Sequence, residues 1–412
     1  MSKPKLRVLF IGISLPAETF LNLLVRGLAE AGVEVTIASP SKPNTEWFSS
    51  QMVRWIRTSP WEGLILRRCL HLGWRTLRAA VSSPRDVQLL LAHIRKTCTK
   101  TEGLRKWNRV LPLVGRRWDV VYFPWNAGAI DYSPIFALGC PTVVSCRGSQ
   151  INVGPQNPKR SMLRDGLALS FKEAAAVHCV SEDIKEKAIR YGLDPLKAHV
   201  IPAAVDENFF QPFPNPRTGC ETLRVISVGR LVWVKGYEDA LRSIRCLLDK
   251  RVIVRFDIVG DGPEYQRLLY TIRDLRLEGI VHLHGGLRPF QIRELLQKSD
   301  VFLLSSLSEG FCNAILEAKA CGLPVVTTDC GGTREAVVDG QDGFVVPVRS
   351  AVQMAEALFQ LAVNPALRRK MGDEARQSVL HHFTIDNQVK SFISLFESVK
   401  NSNKSLSPVL SQ

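Results

Sequence analysis

The hydrophobic pattern along the chain switches repeatedly between short apolar runs and helical spacing. Leu6 to Ile13 is an apolar run, residues 18–31 place Phe20, Leu21, Leu24, Leu28 and Ala31 at helical spacing, and Val33 to Ser39 is apolar again. Strand, helix, strand in that order opens a parallel sheet, because parallel strands are buried on both faces and need a crossover helix between them. Residues 119–123, 141–145 and 175–180 read as later strands of the same layer, and 199–205 closes it.

A proline-rich polar stretch, QPFPNPRTGC at 211–220, then interrupts the rhythm, and it reads as a linker. After it the alternation restarts. Strands are expected at 223–229, 252–260, 280–284, 301–305 and 324–328, with helices near 236–249, 263–277, 289–298 and 312–321 between them. Beyond Ser350 the spacing is helical, including 384–400 with Phe392, Leu395, Phe396 and Val399, and residues 401–412 form a polar tail. The expected organisation is a first domain over 1–210, onto which the helix 384–400 could pack back, and a second over 222–400. Two doubly wound α/β domains facing one another would hold a ligand at the carboxyl ends of their strands.

Composition narrows the class. A chain of 412 residues with 45% hydrophobic and 23% charged content is an ordinary globular protein of about two domains. No apolar stretch reaches the ~18 residues that a membrane span requires, and the apolar run after Lys3, Lys5 and Arg7 reads as a buried strand rather than a secretion signal. Ten cysteines show no CxxC pair, a pattern expected of reduced cysteines in a cytoplasmic protein. The net charge of +15 is unevenly spread: residues 51–120 carry fifteen Lys and Arg against Glu62, Asp86, Glu102 and Asp119.

Candidate chemistry concentrates after the strands of the second half. Residues 301–305 lead into Glu309-Gly310-Phe311, and a helix is expected to begin near Asn313, a residue type suited to an N-cap. Unpaired N–H groups at a helix start form an anion site that suits a diphosphate. Glu309 ahead of that helix and Glu317 one turn inside it would accept from sugar hydroxyls; the same acids also fit a solvated surface. The second cluster, Gly229-Arg230-Leu231 with Lys235-Gly236, offers close backbone approach and fixed positive charge for a leaving diphosphate, or else two solvated bases in a loop. The third, Val259-Gly260-Asp261-Gly262-Pro263-Glu264, is a glycine turn with Pro263 at a helix start, equally able to border a ribose pocket or to serve structure alone.

Taken in order, these residues resemble the retaining, two-domain GT-B glycosyltransferases of glycosyltransferase family 4. The resemblance rests on Glu309 and Glu317 with seven residues between them, ILEAKACGLPVV at 315–326 with Gly331-Gly332, and GRL…KG at 229–236. GDGPE at 260–264, VIPAAVDENFFQP at 200–212 and ETFLNLLVRGLAEAGVEVTIAS at 18–39 support it, and the set covers about three quarters of the chain. It implies that Arg230 and Lys235 hold the donor diphosphate, that Glu317 holds the ribose, and that Glu309 contacts the transferred sugar. Gly229 and the backbone of Gly310, Phe311, Cys312 and Asn313 would line the donor pocket, with Gly12 to Pro16 facing it from the other domain. It implies a nucleotide-sugar donor, retention of configuration, and no cofactor or bound metal, basic side chains and helix dipoles stabilising the leaving group instead.

The chain departs from the family at two places. Where relatives commonly carry His-Gly after the strand at 141–145, it has Cys146-Arg147-Gly148, so Arg147 is the candidate sugar contact; an arginine cannot act as a base near neutral pH. Lys319 stands where a methionine is frequent and is expected to be of no consequence.

The basic segment at 51–120 carries no family motif and lies where acceptor specificity usually resides in GT-B enzymes. Trp55, Trp61, Trp74, Trp107 and Trp118 interleave with its bases, and residues 62–81 set Leu66, Leu70, Trp74 and Leu77 against Arg67, Arg68, Arg75 and Arg78. A basic amphipathic helix of this kind suits an anionic lipid surface, or is an ordinary helix with a solvated face. Nothing else supports nucleic acid as a partner. The leading expectation is transfer of a sugar to a glycan or lipid-linked glycan acceptor in polysaccharide or glycolipid synthesis, by a cytoplasmic protein associated peripherally with the membrane. A nucleotide-sugar epimerase of the same architecture and a catalytically silent sugar-nucleotide-binding protein are the alternatives.

Overall fold

The structure is a computed structural model and describes residues 5–13, 19–41, 51–58, 65–213 and 221–406. The loop from Ser14 to Pro16, Trp61, most of the linker at 211–220 and the tail beyond Leu406 lie outside the described residues. The chain divides into two compact units, one running up to Ile201 and resuming at Val389, the other spanning Pro202–Gln388. Residues 202–210 therefore group with the second unit, and the later part of the last helix groups with the first.

The first unit is built on a seven-stranded parallel sheet: β1 (Arg7–Ile11), β2 (Glu34–Ser39), β3 (Val53–Arg57), β4 (Val120–Phe123), β5 (Thr142–Cys146), β6 (Ala176–Cys179) and β7 (Ala198–Val200). Their spatial order is β3-β2-β1-β4-β5-β6-β7. Val8 to Ile11 and Val120 to Phe123 are fully buried, as central parallel strands covered on both faces must be. The second unit holds a six-stranded parallel sheet of β8 (Leu223–Val228), β9 (Val254–Val259), β10 (Val281–Leu283), β11 (Val301–Leu304), β12 (Val325–Thr328) and β13 (Gly343–Val346), ordered β10-β9-β8-β11-β12-β13. In both sheets the first strand lies beside the fourth, so the strand order reverses there and a crevice opens at the carboxyl ends.

The last helix, Ile385–Leu406, lays Phe392 and Phe396 on Tyr122, with ring centroids 5.5 and 5.6 Å apart. Lys400 reaches Asp119 at 3.1 Å. Residues 401–406, expected to belong to a loose tail, continue this helix. Beside the aromatic cluster His178 is fully buried between Ser145 Oγ and the Ile201 carbonyl, both at 2.8 Å. Burial, with help from the Arg147 charge, pushes it down to about 3, so it is a neutral core histidine.

Two strands were not expected. β3 lies inside the basic segment and buries only Val53 fully, which leaves little apolar signal. β13 follows the turn at Gly340 and is four residues long. Among the described residues no helix is long and apolar enough to cross a membrane.

Candidate active site

The two strongest motifs follow β8 and β11, which pair directly at the reversal point of the second sheet. Gly229 to Gly236 leaves the end of β8; Ser305 to Asn313 leaves the end of β11. The loops are tied together by backbone: Leu307 N–H donates to the Val234 carbonyl at 2.7 Å, and Ser305 Oγ donates to the Lys235 carbonyl at 2.9 Å. Gly236 sits at φ +60°, and a Cβ there would run into the Ser305 carbonyl. Only glycine satisfies both conditions at little cost.

That arrangement brings Lys235 Nζ to 2.6 Å from Glu309 Oε1, although the two residues are 74 apart in sequence. Ser306 Oγ donates to the same oxygen at 2.6 Å. Ser306 is a site residue that the sequence reading missed; its one signal was its place three residues ahead of Glu309. Both ionic side chains are largely buried, at 15% and 11% exposure. Burial opposes the charge on Lys235, but the Glu309 carboxylate beside it outweighs that cost and holds the ammonium above the ordinary lysine value. Gly229 lies against the Lys235 side chain, since a Cβ there would be 3.4 Å from its Cε. Tyr237 donates to the Gly229 carbonyl at 3.0 Å. Arg230, next in the loop, is exposed.

The helix Asn313–Ala320 starts one residue earlier than expected in its cap: Cys312, not Asn313, is the N-cap, and Asn313 is the first helical residue. The Cys312 thiol is buried against the N–H groups of Ala314 and Ile315, and burial pushes it up to about 11. It is an uncharged, unreactive sulfur. Glu317, one turn along, is raised by burial to about 7, so at neutral pH it is a mixture of acid and carboxylate. Gly310 is buried and Phe311 half-buried, its ring 5.8 Å from that of Phe383.

Behind this helix lies a correction. Lys319 is fully buried, and its Nζ reaches Asp342 Oδ2 at 2.7 Å, the Ala336 carbonyl at 2.5 Å and Ser378 Oγ at 3.0 Å. Far from being of no consequence, it ties the Glu317 helix to the segment before β13 and to the helix Pro365–His382. The glycine turn at 260–264 is also structural in part. Leu231 N–H donates to the Asp261 carbonyl at 2.8 Å, and Glu264 N–H donates to the Leu231 carbonyl at 3.0 Å, so the turn supports the Arg230 loop from below. Pro263 precedes the helix Tyr265–Asp274 instead of opening it.

Gly12 and Arg147 belong to the first unit. Gly12, at φ +76° after β1, lies against Gly128, where a Cβ would come 2.9 Å from the Gly128 Cα. Together with Ile13, Trp125, Arg109, Asp131 and Gln150 it lines a cavity of about 440 Å³ at the reversal point of this sheet. Arg147 follows β5, stacks over Phe20 at 4.0 Å and donates from Nε to the Pro124 carbonyl at 3.2 Å. Among the described residues no cluster of three or more His, Cys, Asp or Glu is placed to hold a metal ion.

Two known families match the chain in order: the one described as "Glycosyl transferase 4-like domain" over residues 17–204, and "Glycosyl transferases group 1" over residues 216–378. Among curated relatives, a phosphatidylinositol N-acetylglucosaminyltransferase subunit of Arabidopsis thaliana is 36% identical over 174 residues, 42% of this chain and 39% of its own length. The N,N'-diacetylbacillosaminyl-diphospho-undecaprenol alpha-1,3-N-acetylgalactosaminyltransferase of Campylobacter jejuni is 34% identical over 158 residues, 38% of this chain and 40% of its own. The matched part is thus about two fifths of the length of these relatives. The Anabaena Alr3699/HepE structure with UDP and glucose superposes with a TM-score of 0.70 at 17% identity, covering 95% of this chain and all of that one. Its likeness is one of fold: two doubly wound parallel sheets, here of seven and six strands. With both family segments present in order and this fold beneath them, the chain belongs to the group 1, family 4 glycosyltransferases of GT-B architecture.

Proposed function

We propose that this protein transfers a sugar, with retention of configuration, from a nucleotide-diphosphate sugar to a glycan or lipid-linked glycan acceptor. The observation that carries the reading is the contact of Lys235 with Glu309 at the sheet reversal point. A lysine kept charged by a neighbouring carboxylate in spite of its burial is poised to exchange partners. A diphosphate arriving at the start of the helix Asn313–Ala320 competes for Lys235 through charge-assisted bonds, each worth about 1.5–3 kcal/mol. Glu309, still held by Ser306, then accepts from the sugar hydroxyls. Arg230, exposed beside the same loop, adds a second positive charge that stabilises the departing diphosphate without a resident metal. Glu317, with its intermediate proton affinity, accepts from the ribose.

The relatives named for transfer to phosphatidylinositol and to a diphospho-undecaprenol carrier make a lipid-linked acceptor the preferred form of the reading. Such an acceptor lies at a membrane surface, where this chain would work as a peripheral protein. The Anabaena neighbour was solved with UDP, so uridine donors come first in a screen.

The test is donor hydrolysis and thermal shift across UDP-, GDP- and ADP-sugars, followed by NMR assignment of the anomeric configuration in the product. Glu309→Ala is expected to abolish turnover with at most a few-fold loss of nucleotide affinity, whereas Arg230→Ala and Lys235→Ala weaken both. Full transferase activity in Glu309→Ala would overturn the donor-site assignment, and an inverted product would overturn retention.

A further inference from the structure

The helix Ile65–Ser82 faces outward with the wrong residues for a solvated surface. Leu70, Trp74, Leu77 and Val81 are spaced four, three and four apart, so they form one stripe along the helix. They are 67%, 57%, 65% and 78% exposed. The opposite side is already occupied: Ala79 is buried, and Thr76 Oγ1 accepts from Trp107 Nε1 at 3.0 Å. Amphipathicity therefore does not explain the stripe as a core face. A contiguous exposed apolar surface of this kind marks a contact site.

Charge decides what kind. The helix carries Arg67, Arg68, Arg75 and Arg78 and no acidic residue. The Arg78 guanidinium lies over the Trp74 ring at 5.6 Å, so a base borders the stripe directly. The two acids on the helices that follow are engaged within the fold. Asp86 is gripped by Arg117 at 2.7 Å and by Gly115 N–H at 3.0 Å, and Glu102 caps its own helix through Thr99. Arg85, Arg95, Lys96, Lys100 and Arg105 remain exposed on the same two helices. Leucine, valine and tryptophan in line, bordered by arginine, fit a surface that is apolar inside and anionic at its rim. A nucleic acid would use the bases but offers nothing to three aliphatic side chains.

We infer that the Leu70-Trp74-Leu77-Val81 stripe inserts into the interfacial layer of an anionic phospholipid bilayer, the helix lying in the membrane plane with Arg78, beside the stripe, at the headgroup phosphates. Binding of this kind needs no substrate, so it stands or falls independently of the sugar transfer proposed above.

The experiment is co-sedimentation of the full chain with phosphatidylcholine vesicles and with vesicles containing about one third phosphatidylglycerol. Anionic vesicles are expected to bind at least tenfold more tightly. The double variant Leu70→Asn/Leu77→Asn is expected to weaken that binding at least tenfold, and Arg78→Glu several-fold, with melting temperatures unchanged because all three side chains are exposed. Equal failure to bind both vesicle types overturns the inference, as does binding that the double variant leaves intact. A concentration-dependent dimer in light scattering that the double variant dissolves would assign the stripe to a second copy of the chain instead.

Discussion

Glu317 offers a quantitative test of how the proposed donor site is built. Burial raises its carboxyl from 4.5 to about 7, so between those values the folded state binds a proton that the unfolded state has released. Stability therefore falls as pH rises through this window: there is no penalty below 4.5, where both states are protonated, and the full penalty is present above 7. At about 1.4 kcal/mol per tenfold change in proton affinity the penalty is ~3 kcal/mol, and water reaching the half-buried side chain trims it to roughly 2. Glu317→Gln removes the charge and keeps the shape. The variant is expected to match the parent at pH 4 and to be about 2 kcal/mol more stable at pH 8. It should also bind nucleotide at least tenfold more weakly, since a neutral amide accepts less strongly from ribose hydroxyls than a carboxylate. Urea titrations at the two pH values, read by hydrogen exchange in the peptide spanning residues 313–320, measure the stability, and calorimetry measures the affinity. Equal stabilisation at both pH values, or destabilisation at pH 8, would refute the account. Stability given up at one carboxylate for the sake of a ligand is the trade expected of a binding site.

Two further outcomes follow from the packing behind and beside the site. Lys319→Met leaves Asp342 buried without its cation and should cost about 3–5 kcal/mol in urea unfolding, while adding Asp342→Asn, which keeps the bond from Val338 N–H, should restore most of it. Gly236→Ala forces a Cβ at φ +60° into the Ser305 carbonyl; it should cost at least about 1–2 kcal/mol and, by parting Lys235 from Glu309, weaken nucleotide binding tenfold or more in the same calorimetric assay.

What could be read from the sequence was set by how local the cause was. The parallel strands announced themselves because Val8 to Ile11 or Val301 to Leu304 are apolar on both faces, a signal that needs no knowledge of neighbours. β3 gave no such signal, since an edge strand covered on one side, Val-Arg-Trp-Ile-Arg, looks like the basic loop in which it sits. The cap at Cys312 was missed for a related reason: residue preference favoured Asn313, but the turn is set by the exit from β11 and by a buried thiol rather than by a side-chain cap. Lys319 is the sharpest case. Helical spacing places it beside Ile315 and Leu316 on the buried side, yet a lysine there is legible only together with Asp342, 23 residues on, which the fold brings beneath it.

The same reasoning explains why the motifs mattered more as a set than singly. Glu309 and Lys235 each had an ordinary solvated alternative, and spacing along the chain could not decide between the two readings. The sheet order β10-β9-β8-β11-β12-β13 removes the solvated alternative, because it seats the loop after the first strand beside the loop after the fourth. Once β8 pairs with β11, Lys235 and Glu309 meet at 2.6 Å with Ser306 on the same oxygen. A solvated loop has no need of a glycine pinned at φ +60° beneath it or of a lysine at 15% exposure. Burying an ion pair costs desolvation that its own attraction repays only in part. On the proposed reading a ligand relieves that cost, a diphosphate taking the place of the carboxylate at Lys235 and sugar hydroxyls that of the ammonium at Glu309.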